Sequence, residues 1–418
     1  MHDLKKEENV ALLVGIDDGR GDIEISMDEL EELARTAGIA ISGRLIQKRE
    51  RPHPGTYLGK GKLEELDDEM WRQEPTMLIF NDELSPAQFR NLTDKFSCAI
   101  IDRTLLILDI FAMGASSAEG KLQVELAQLR YRLSRLSGMG KMLSRLGGGI
   151  GTRGPGETKL ETDRRHIRNR LTNLERELKE IGKNRETMRK KREKQGAFVA
   201  ALVGYTNAGK SSVLNLLAAS DVLVEDKLFA TLDTTVRRVT LPGGAEILLS
   251  DTVGFIERLP HHLVRAFRAT LDELNYADVL IFVADASSSD REKHRDVVMK
   301  TLESLSLGEK RLIAVYNKMD KEVELPLPTC SYAEKIVEMS AVTGAGSENL
   351  LAAIEAVYNT GKVRMSVMIP YAESKLVSYI HASCEILEES HEETGTFFEI
   401  IADEEAKNRL SGYRVTMV

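Results

Sequence analysis

Cysteine is scarce in this chain of 418 residues, which holds three. Cys98, Cys330 and Cys384 form no C-x-x-C pair and lie near no histidine cluster. Neither a disulfide framework nor a zinc site is implied by that spacing, and buried, reduced thiols are the expectation. Long hydrophobic runs are lacking too. No apolar stretch reaches the roughly 18 residues of a membrane-crossing helix. Val10 to Ile16 is only strand length, and Met1 to Glu8 is charged where a secretory signal would be apolar. A cytoplasmic protein without stable membrane insertion is expected, and the lack of lipid or amphipathic signals argues against a membrane-linked regulator. What remains is ordinary for a soluble globular protein, 42% hydrophobic and 29% charged. At about 150 residues per domain the length suggests roughly three domains.

The net charge of −9 hides an asymmetry: Lys121 to Lys194 carries 21 Lys and Arg against 9 Asp and Glu, or +12, which leaves −21 for the rest. That one block is a candidate for contact with a phosphate backbone.

The expected fold class is α/β. Strand-like runs at Val10 to Ile16, Ala40 to Gln47, Met77 to Asn81 and Cys98 to Asp102 alternate with helix-like runs near Asp28 to Ala37, Lys60 to Arg72 and Pro86 to Lys95. This rhythm argues a parallel-rich N-terminal α/β domain over 1–112. Within it, His53 to Lys62 reads as a Gly-rich basic turn, open to phosphate or RNA contact. The period then changes. Leu122, Leu126, Leu129, Leu133 and Leu136, and later Ile167, Leu171, Leu174, Leu178 and Ile181, step by three and four. Two helices with single apolar seams predict an antiparallel hairpin over 113–195. Many of its charges are readily explained as solvated faces, whereas the Arg excess and the run Arg189 to Arg192 favour nucleic acid. The hairpin is joined by LGGGIGTRGPGE, Leu146 to Glu157, which has no local reason to fold and places Arg153 near its centre. Residues 196–360 carry the strand candidates Phe198 to Val203, Val236 to Leu241, Ile247 to Ser250, Val279 to Ala284 and Leu312 to Tyr316. A small α/β module over 361–418 follows, with strands at Val363 to Ile369, Gly395 to Ile401 and Tyr413 to Val418 around a helix from Glu373 to Leu387.

The chemistry concentrates in 196–360. GYTNAGKS, comprising Gly204, Tyr205, Thr206, Asn207, Ala208, Gly209, Lys210 and Ser211, lies between an apolar strand and a helix-like stretch. That is the setting of a phosphate-binding loop, with inward N–H groups, Lys210 as a point charge and the Ser211 hydroxyl for Mg2+. Asp251, Thr252, Val253 and Gly254 follow the next apolar strand, where the carboxylate can hold Mg2+ through water and the Gly254 N–H can touch a terminal phosphate. Asn317, Lys318, Met319 and Asp320 close the strand Leu312 to Tyr316. Guanine presents an N1–H and an amino group side by side, which one carboxylate accepts as a pair, so Asp320 selects guanine over adenine. Asn317 would tie base and phosphate loop together, and the Lys318 stem would cover the purine. Ser340, Ala341 and Val342 would complete the pocket with backbone N–H groups. Phe229, Ala230, Thr231, Leu232 and Asp233 form a switch-like segment, in which Thr231 is preferred over Thr234 and Thr235 as the second Mg2+ ligand beside Ser211. Lys210, Gly254 and Phe255 are the candidate catalytic positions. Phe255 stands where a water-orienting glutamine would serve, so slow intrinsic hydrolysis is expected.

GGGIGTRGPGETKLET (Gly147 to Thr162), DRTLLILDIFA (Asp102 to Ala112), FATLD (Phe229 to Asp233) and DTVGFIERLPHHLV (Asp251 to Val264) together resemble the HflX family of translation-factor-related GTPases. The resemblance covers nearly the whole chain, and the Gly-rich segment is specific to the family. It departs at Lys159, where Gln is usual, and at Thr234, where Pro often follows the aspartate. The resemblance implies a monomeric Mg2+-dependent GTPase that binds the large ribosomal subunit and its RNA and dissociates stalled or idle ribosomes under stress. It also implies that Asn207 could recruit K+. A GTP-timed RNA-binding factor in ribosome assembly is the alternative.

Overall fold

The structure, a computed structural model, describes residues 9–19, 21–146, 155–194, 197–218, 235–257, 271–323, 326–328, 330, 333–402 and 404–415. Its first layer is a four-stranded sheet, ordered β2-β1-β3-β4, made of β1 (Val10–Asp17), β2 (Ala40–Lys48), β3 (Met77–Phe80) and β4 (Ala99–Asp102). Every pairing is parallel. The apolar residues of β1 and β3 are buried on both faces, as a parallel sheet between helices requires. Those helices begin at local signals. Asp22 caps α1 (Ile23–Thr36) by accepting the Glu24 N–H. Ser85 and Gln88 form a capping box on α3 (Pro86–Lys95), and Asp102 caps α4 (Arg103–Gly114) by accepting the Leu105 N–H. The basic turn before α2 (Lys60–Gln73) is pinned: His53 Nδ1 accepts the Gly55 and Thr56 N–H groups at 3.2 Å each, and Gln88 and Asn91 hold the His53 and Gly55 carbonyls.

The expected hairpin is present as α5 (Ala118–Leu146) and α6 (Pro155–Lys194). Leu126, Leu171 and Leu174 are buried in its seam, and Leu122, Leu129, Leu133, Ile167 and Leu178 pack against them. Its antiparallel sense follows from Glu119 meeting Arg185, Glu125 meeting Arg170 and the Leu136 carbonyl meeting Arg164. The Gly-rich stretch is helical from Pro155 onward, and Arg153 lies outside the described residues.

The third layer is a six-stranded sheet, ordered β10-β9-β8-β5-β7-β6. Its strands are β5 (Val199–Gly204), β6 (Thr235–Thr240), β7 (Glu246–Asp251), β8 (Val279–Asp285), β9 (Leu312–Asn317) and β10 (Lys335–Glu338). Only the β6–β7 pair is antiparallel among its described pairings. The chain order reverses on either side of β5, and the carboxyl ends of β5, β7, β8 and β9 open on one edge, where such sheets bind ligands. Helices α7 (Lys210–Leu217), α8 (Arg291–Ser304) and α9 (Ser347–Tyr358) accompany it.

The C-terminal sheet, β11-β13-β12, corrects two expectations. The helix expected to reach Leu387 stops as α10 (Ser374–Ser383). Glu385 to Glu392 is instead β12, paired antiparallel to β13 (Gly395–Ala402), which also pairs with β11 (Val363–Ile369). Pairing with β13 and packing of Ile386 against the core of this sheet outweigh the helical preference of the glutamates. The strand expected from Tyr413 gives way to α11 (Glu404–Leu410) and a 3-10 turn, with one bridge from Arg414 to Val367; Thr416 to Val418 lie outside the described residues. Of the cysteines, Cys330 is buried, whereas Cys98 and Cys384 are half-buried.

Candidate functional site

Gly204, at the end of β5, admits no side chain, because a Cβ there would lie 2.2 Å from the Val283 carbonyl oxygen. The chain then turns through two left-handed residues, Asn207 at φ 59° and Gly209 at φ 91°. A Cβ on Gly209 would meet Asn317 Nδ2 at 2.2 Å. Glycine is therefore demanded here by backbone sense and by contact. No side chain caps α7, and the N–H groups at a helix's first turn suit an anion. Lys210 Nζ is buried inside the loop and donates to the Gly204 and Tyr205 carbonyls at 3.2 and 2.8 Å. Burial pulls its pKa down to about 8, against the opposing charge of Asp251. The buried Thr206 hydroxyl has no hydrogen-bond partner among the described residues. A buried hydroxyl without a partner costs about 1–3 kcal/mol, a deficit that a phosphate oxygen would remove.

Beside the loop, Ser211 Oγ donates to Asp251 Oδ2 at 2.6 Å, while Asp251 Oδ1 accepts the Thr252 N–H at 2.9 Å. Two hard oxygen donors thus adjoin the phosphate loop and fit a Mg2+ ion. Gly254 lies against Lys210: a Cβ on it would approach Nζ to 3.0 Å and the Thr206 Cα to 2.9 Å. Phe255 is joined to the loop on both sides, its N–H donating to the Gly204 carbonyl at 3.1 Å and its carbonyl accepting the Thr206 N–H at 2.8 Å. Its ring is buried, so it offers no polar group to water.

On the other side, Asn317 joins three loops. Its Nδ2 donates to the Ala208 carbonyl at 3.0 Å, and its Oδ1 accepts the Ala341 N–H at 2.9 Å. Lys318 follows at φ 65°, a conformation costly for a side chain with Cβ. Its Nζ pairs with Asp285 at 2.7 Å. Ser340 Oγ donates to Asp320 Oδ1 at 2.5 Å, which helps hold that carboxyl below its usual range. Met319 is tied by its N–H to the Met339 carbonyl at 3.2 Å. Val342 stands at the rim, 81% exposed.

The structure therefore brings Gly204 to Ser211, Asp251 to Phe255, Asn317 to Asp320 and Ser340 to Val342 to one sheet edge. Phe229, Ala230, Thr231, Leu232 and Asp233 lie outside the described residues. Asp285 was missed by the sequence reading, although it ends an apolar strand and lies in register with Asn317. Glu29 and His294, which meet Tyr205, were missed as well, and nothing local in the sequence marks either.

Three family models match successive stretches of the chain. Residues 24–112 match the family described as GTP-binding GTPase N-terminal, and residues 114–192 the GTP-binding GTPase Middle Region. Residues 199–318 match the family described as 50S ribosome-binding GTPase. GTPase HflX of Lacrimispora saccharolytica is 47% identical over 396 residues, 94% of each chain. GTPase HflX of Escherichia coli is 40% identical over 374 residues, 88% of each. A solved GTP-binding protein from Sulfolobus solfataricus in complex with GDP aligns over 84% of this chain and 99% of that one, at 23% identity and a TM-score of 0.44. Identity that runs from the N-terminal sheet through the hairpin to the nucleotide loops places the chain among the GTPases of the HflX family.

Proposed function

We propose that this GTPase binds the large ribosomal subunit in its GTP state, that this state dissociates stalled or idle ribosomes under stress, and that hydrolysis releases the protein. The observation that carries the ribosomal reading is a stripe on α6. Arg165, Arg168, Arg176, Lys179 and Lys183 are exposed and share the face opposite the packed seam of Ile167, Leu171, Leu174 and Leu178. Arg130, Arg170 and Arg185 are engaged in ion pairs with Glu175, Glu125 and Glu119 within the hairpin, and Lys183 in the stripe pairs with Glu180. Arg165, Arg168, Arg176 and Lys179 are the stripe residues that this reading assigns to RNA phosphates. On this reading 1–112, 113–195, 196–360 and 361–418 are the working units of a cytoplasmic monomer.

At the nucleotide, the loop N–H groups, the Thr206 hydroxyl and Lys210 hold the phosphates, and Asp320 with the Ser340 to Val342 segment reads the guanine. Ser211 and Asp251 would hold Mg2+, with Thr231 as a further ligand, and the ion would neutralise charge on the outer phosphates. Gly254 adjoins Lys210, and its N–H would meet the terminal phosphate. Phe255 cannot orient water, so intrinsic turnover is slow and a partner accelerates it. By the family resemblance Asn207 would recruit K+; equal hydrolysis rates in K+ and Na+ buffers would reject that role.

The deciding experiment is cosedimentation with separated ribosomal subunits in a GTP analogue, in GDP and without nucleotide. Retention on intact large subunits in the GTP state, falling steeply with salt, is expected. Binding to free RNA regardless of nucleotide would replace this reading with that of an assembly factor.

A further inference from the structure

Tyr205, the second residue of the phosphate loop, leaves the nucleotide sheet and meets the N-terminal one. Its hydroxyl donates to Glu29 Oε1 of α1 and accepts the Glu257 N–H at 2.8 Å. Burial, then the adjacent Glu29 charge, raises its pKa, so the phenol keeps its proton for that bond. Its ring stacks on His294 of α8, with centroids 3.9 Å apart and planes 14° apart. Burial lowers the His294 pKa and keeps that imidazole neutral. The second oxygen of Glu29 pairs with Arg103, which also donates to Asn81 Oδ1 at 3.0 Å and to the Glu257 carbonyl at 3.4 Å. Lys293 completes the ring, pairing with the Glu257 carboxylate at 2.8 Å.

The segment held this way begins at the hydrolysis site. Gly254 adjoins Lys210, Phe255 is joined to Gly204 and Thr206, and Glu257, two residues farther on, is gripped at its N–H by Tyr205 and at its carbonyl by Arg103. An anchor three residues after Gly254 limits where its N–H can stand. Placement of a donor at a terminal phosphate governs the rate more than it governs ground-state affinity. The anchor depends on a carboxylate from α1, a helix of the N-terminal sheet's layer, held in a buried pair with Arg103.

We infer that Glu29, acting through Tyr205, is a positioning residue for GTP hydrolysis, so that helix α1 forms part of the hydrolytic apparatus. The inference rests on the assignment of the nucleotide site above. It also explains why a tyrosine stands in a loop position whose own contact with phosphate needs only backbone.

The test is steady-state GTP hydrolysis by the full-length chain without ribosomes, alongside equilibrium binding of a fluorescent GDP analogue. Tyr205→Phe, which keeps the stack on His294, and Glu29→Ala should each lower kcat by about tenfold, the scale of a lost hydrogen bond to a charged group. KM and GDP affinity should stay within about twofold, because the contact acts on placement and not on uniform binding. Glu29→Gln should recover part of the rate, since its amide oxygen still accepts from the phenol. The double variant should be no slower than the worse single one. Unchanged kcat in Tyr205→Phe, or effects that multiply in the double variant, overturns the inference. Should Glu29→Ala fail to fold, Tyr205→Phe alone decides. A wild-type chain that binds GDP but turns over no GTP would overturn the site assignment, and the inference with it; wild-type turnover with unaltered variants overturns the inference alone.

Discussion

Asn317 is the position at which a small change should have the largest calculable effect on the nucleotide site. Its side chain is 2% exposed, and its two hydrogen bonds run in opposite senses, to the Ala208 carbonyl at 3.0 Å and from the Ala341 N–H at 2.9 Å. A carbonyl only accepts and a peptide N–H only donates, so the amide orientation is forced by its partners. Asn317→Ala leaves both groups without this partner. Each such loss costs about 1–3 kcal/mol, and the Ala341 side is closer to solvent, so about 2–4 kcal/mol is expected in total. Urea unfolding of the nucleotide-free protein should show that loss as a lower midpoint with an unchanged slope. Asn317→Asp separates the two bonds: it still accepts from Ala341, but sets a carboxylate against the Ala208 carbonyl, inside the loop that must embrace an anion. The aspartate variant should therefore bind a fluorescent GDP analogue more weakly than the alanine variant, although it retains one bond more. If the aspartate variant binds as tightly as the wild type, the link to Ala208 does not hold the phosphate loop and this reasoning fails.

Further expectations follow from single residues. Lys210 has a folded-state pKa of about 8 against an ordinary 10.5, so between those values the nucleotide-free protein binds fewer protons than the unfolded chain. Its contribution to stability is present above the upper value and lost as pH falls through the lower, a swing of about 3 kcal/mol. Denaturation of wild type and Lys210→Met across pH 7 to 10 should show the wild type gaining relative stability as pH rises, and parallel curves would refute the assignment. In Asp320→Asn, the Ser340 hydroxyl can go on donating to the side-chain oxygen, leaving an N–H toward the base where guanine itself donates. Guanine nucleotide affinity should fall at least about tenfold, and xanthine nucleotides, which carry a carbonyl at that edge, should be favoured in competition. Gly209→Ala should abolish nucleotide binding even where the protein folds, because its Cβ would displace Asn317 Nδ2 from Ala208; retained GDP binding would show that the loop tolerates another path.

How far these features were legible depended on whether their causes are local. The parallel strands Val10 to Asp17 and Val279 to Asp285 are read from apolar runs, and α3 from Ser85, Pro86 and Gln88, because burial on both faces and helix capping leave their marks within a few residues. The phosphate loop, Asp251 and Asn317 to Asp320 are legible for a related reason: each sits at the carboxyl end of a strand, and the chemistry of phosphate and guanine fixes which residue types can stand there. The errors fell where pairing or packing outweighs local preference. Residues 385–387, expected as the end of a helix, instead begin a strand because β13, the next strand along the chain, pairs with them and Ile386 packs against the core. Tyr205 is the sharpest instance. Within the loop motif it is one variable position, and nothing nearby distinguishes a phenol that faces solvent from one that carries a contact. Its partner Glu29 is 176 residues away, on a helix that also carries Glu24, Asp28 and Glu31, which pair with Arg44. Only the packing of the two sheets selects Glu29 from among them. The residues that define which ligand binds were therefore written into short motifs, while those that relate the bound ligand to the rest of the molecule emerge only when the sheets are set side by side.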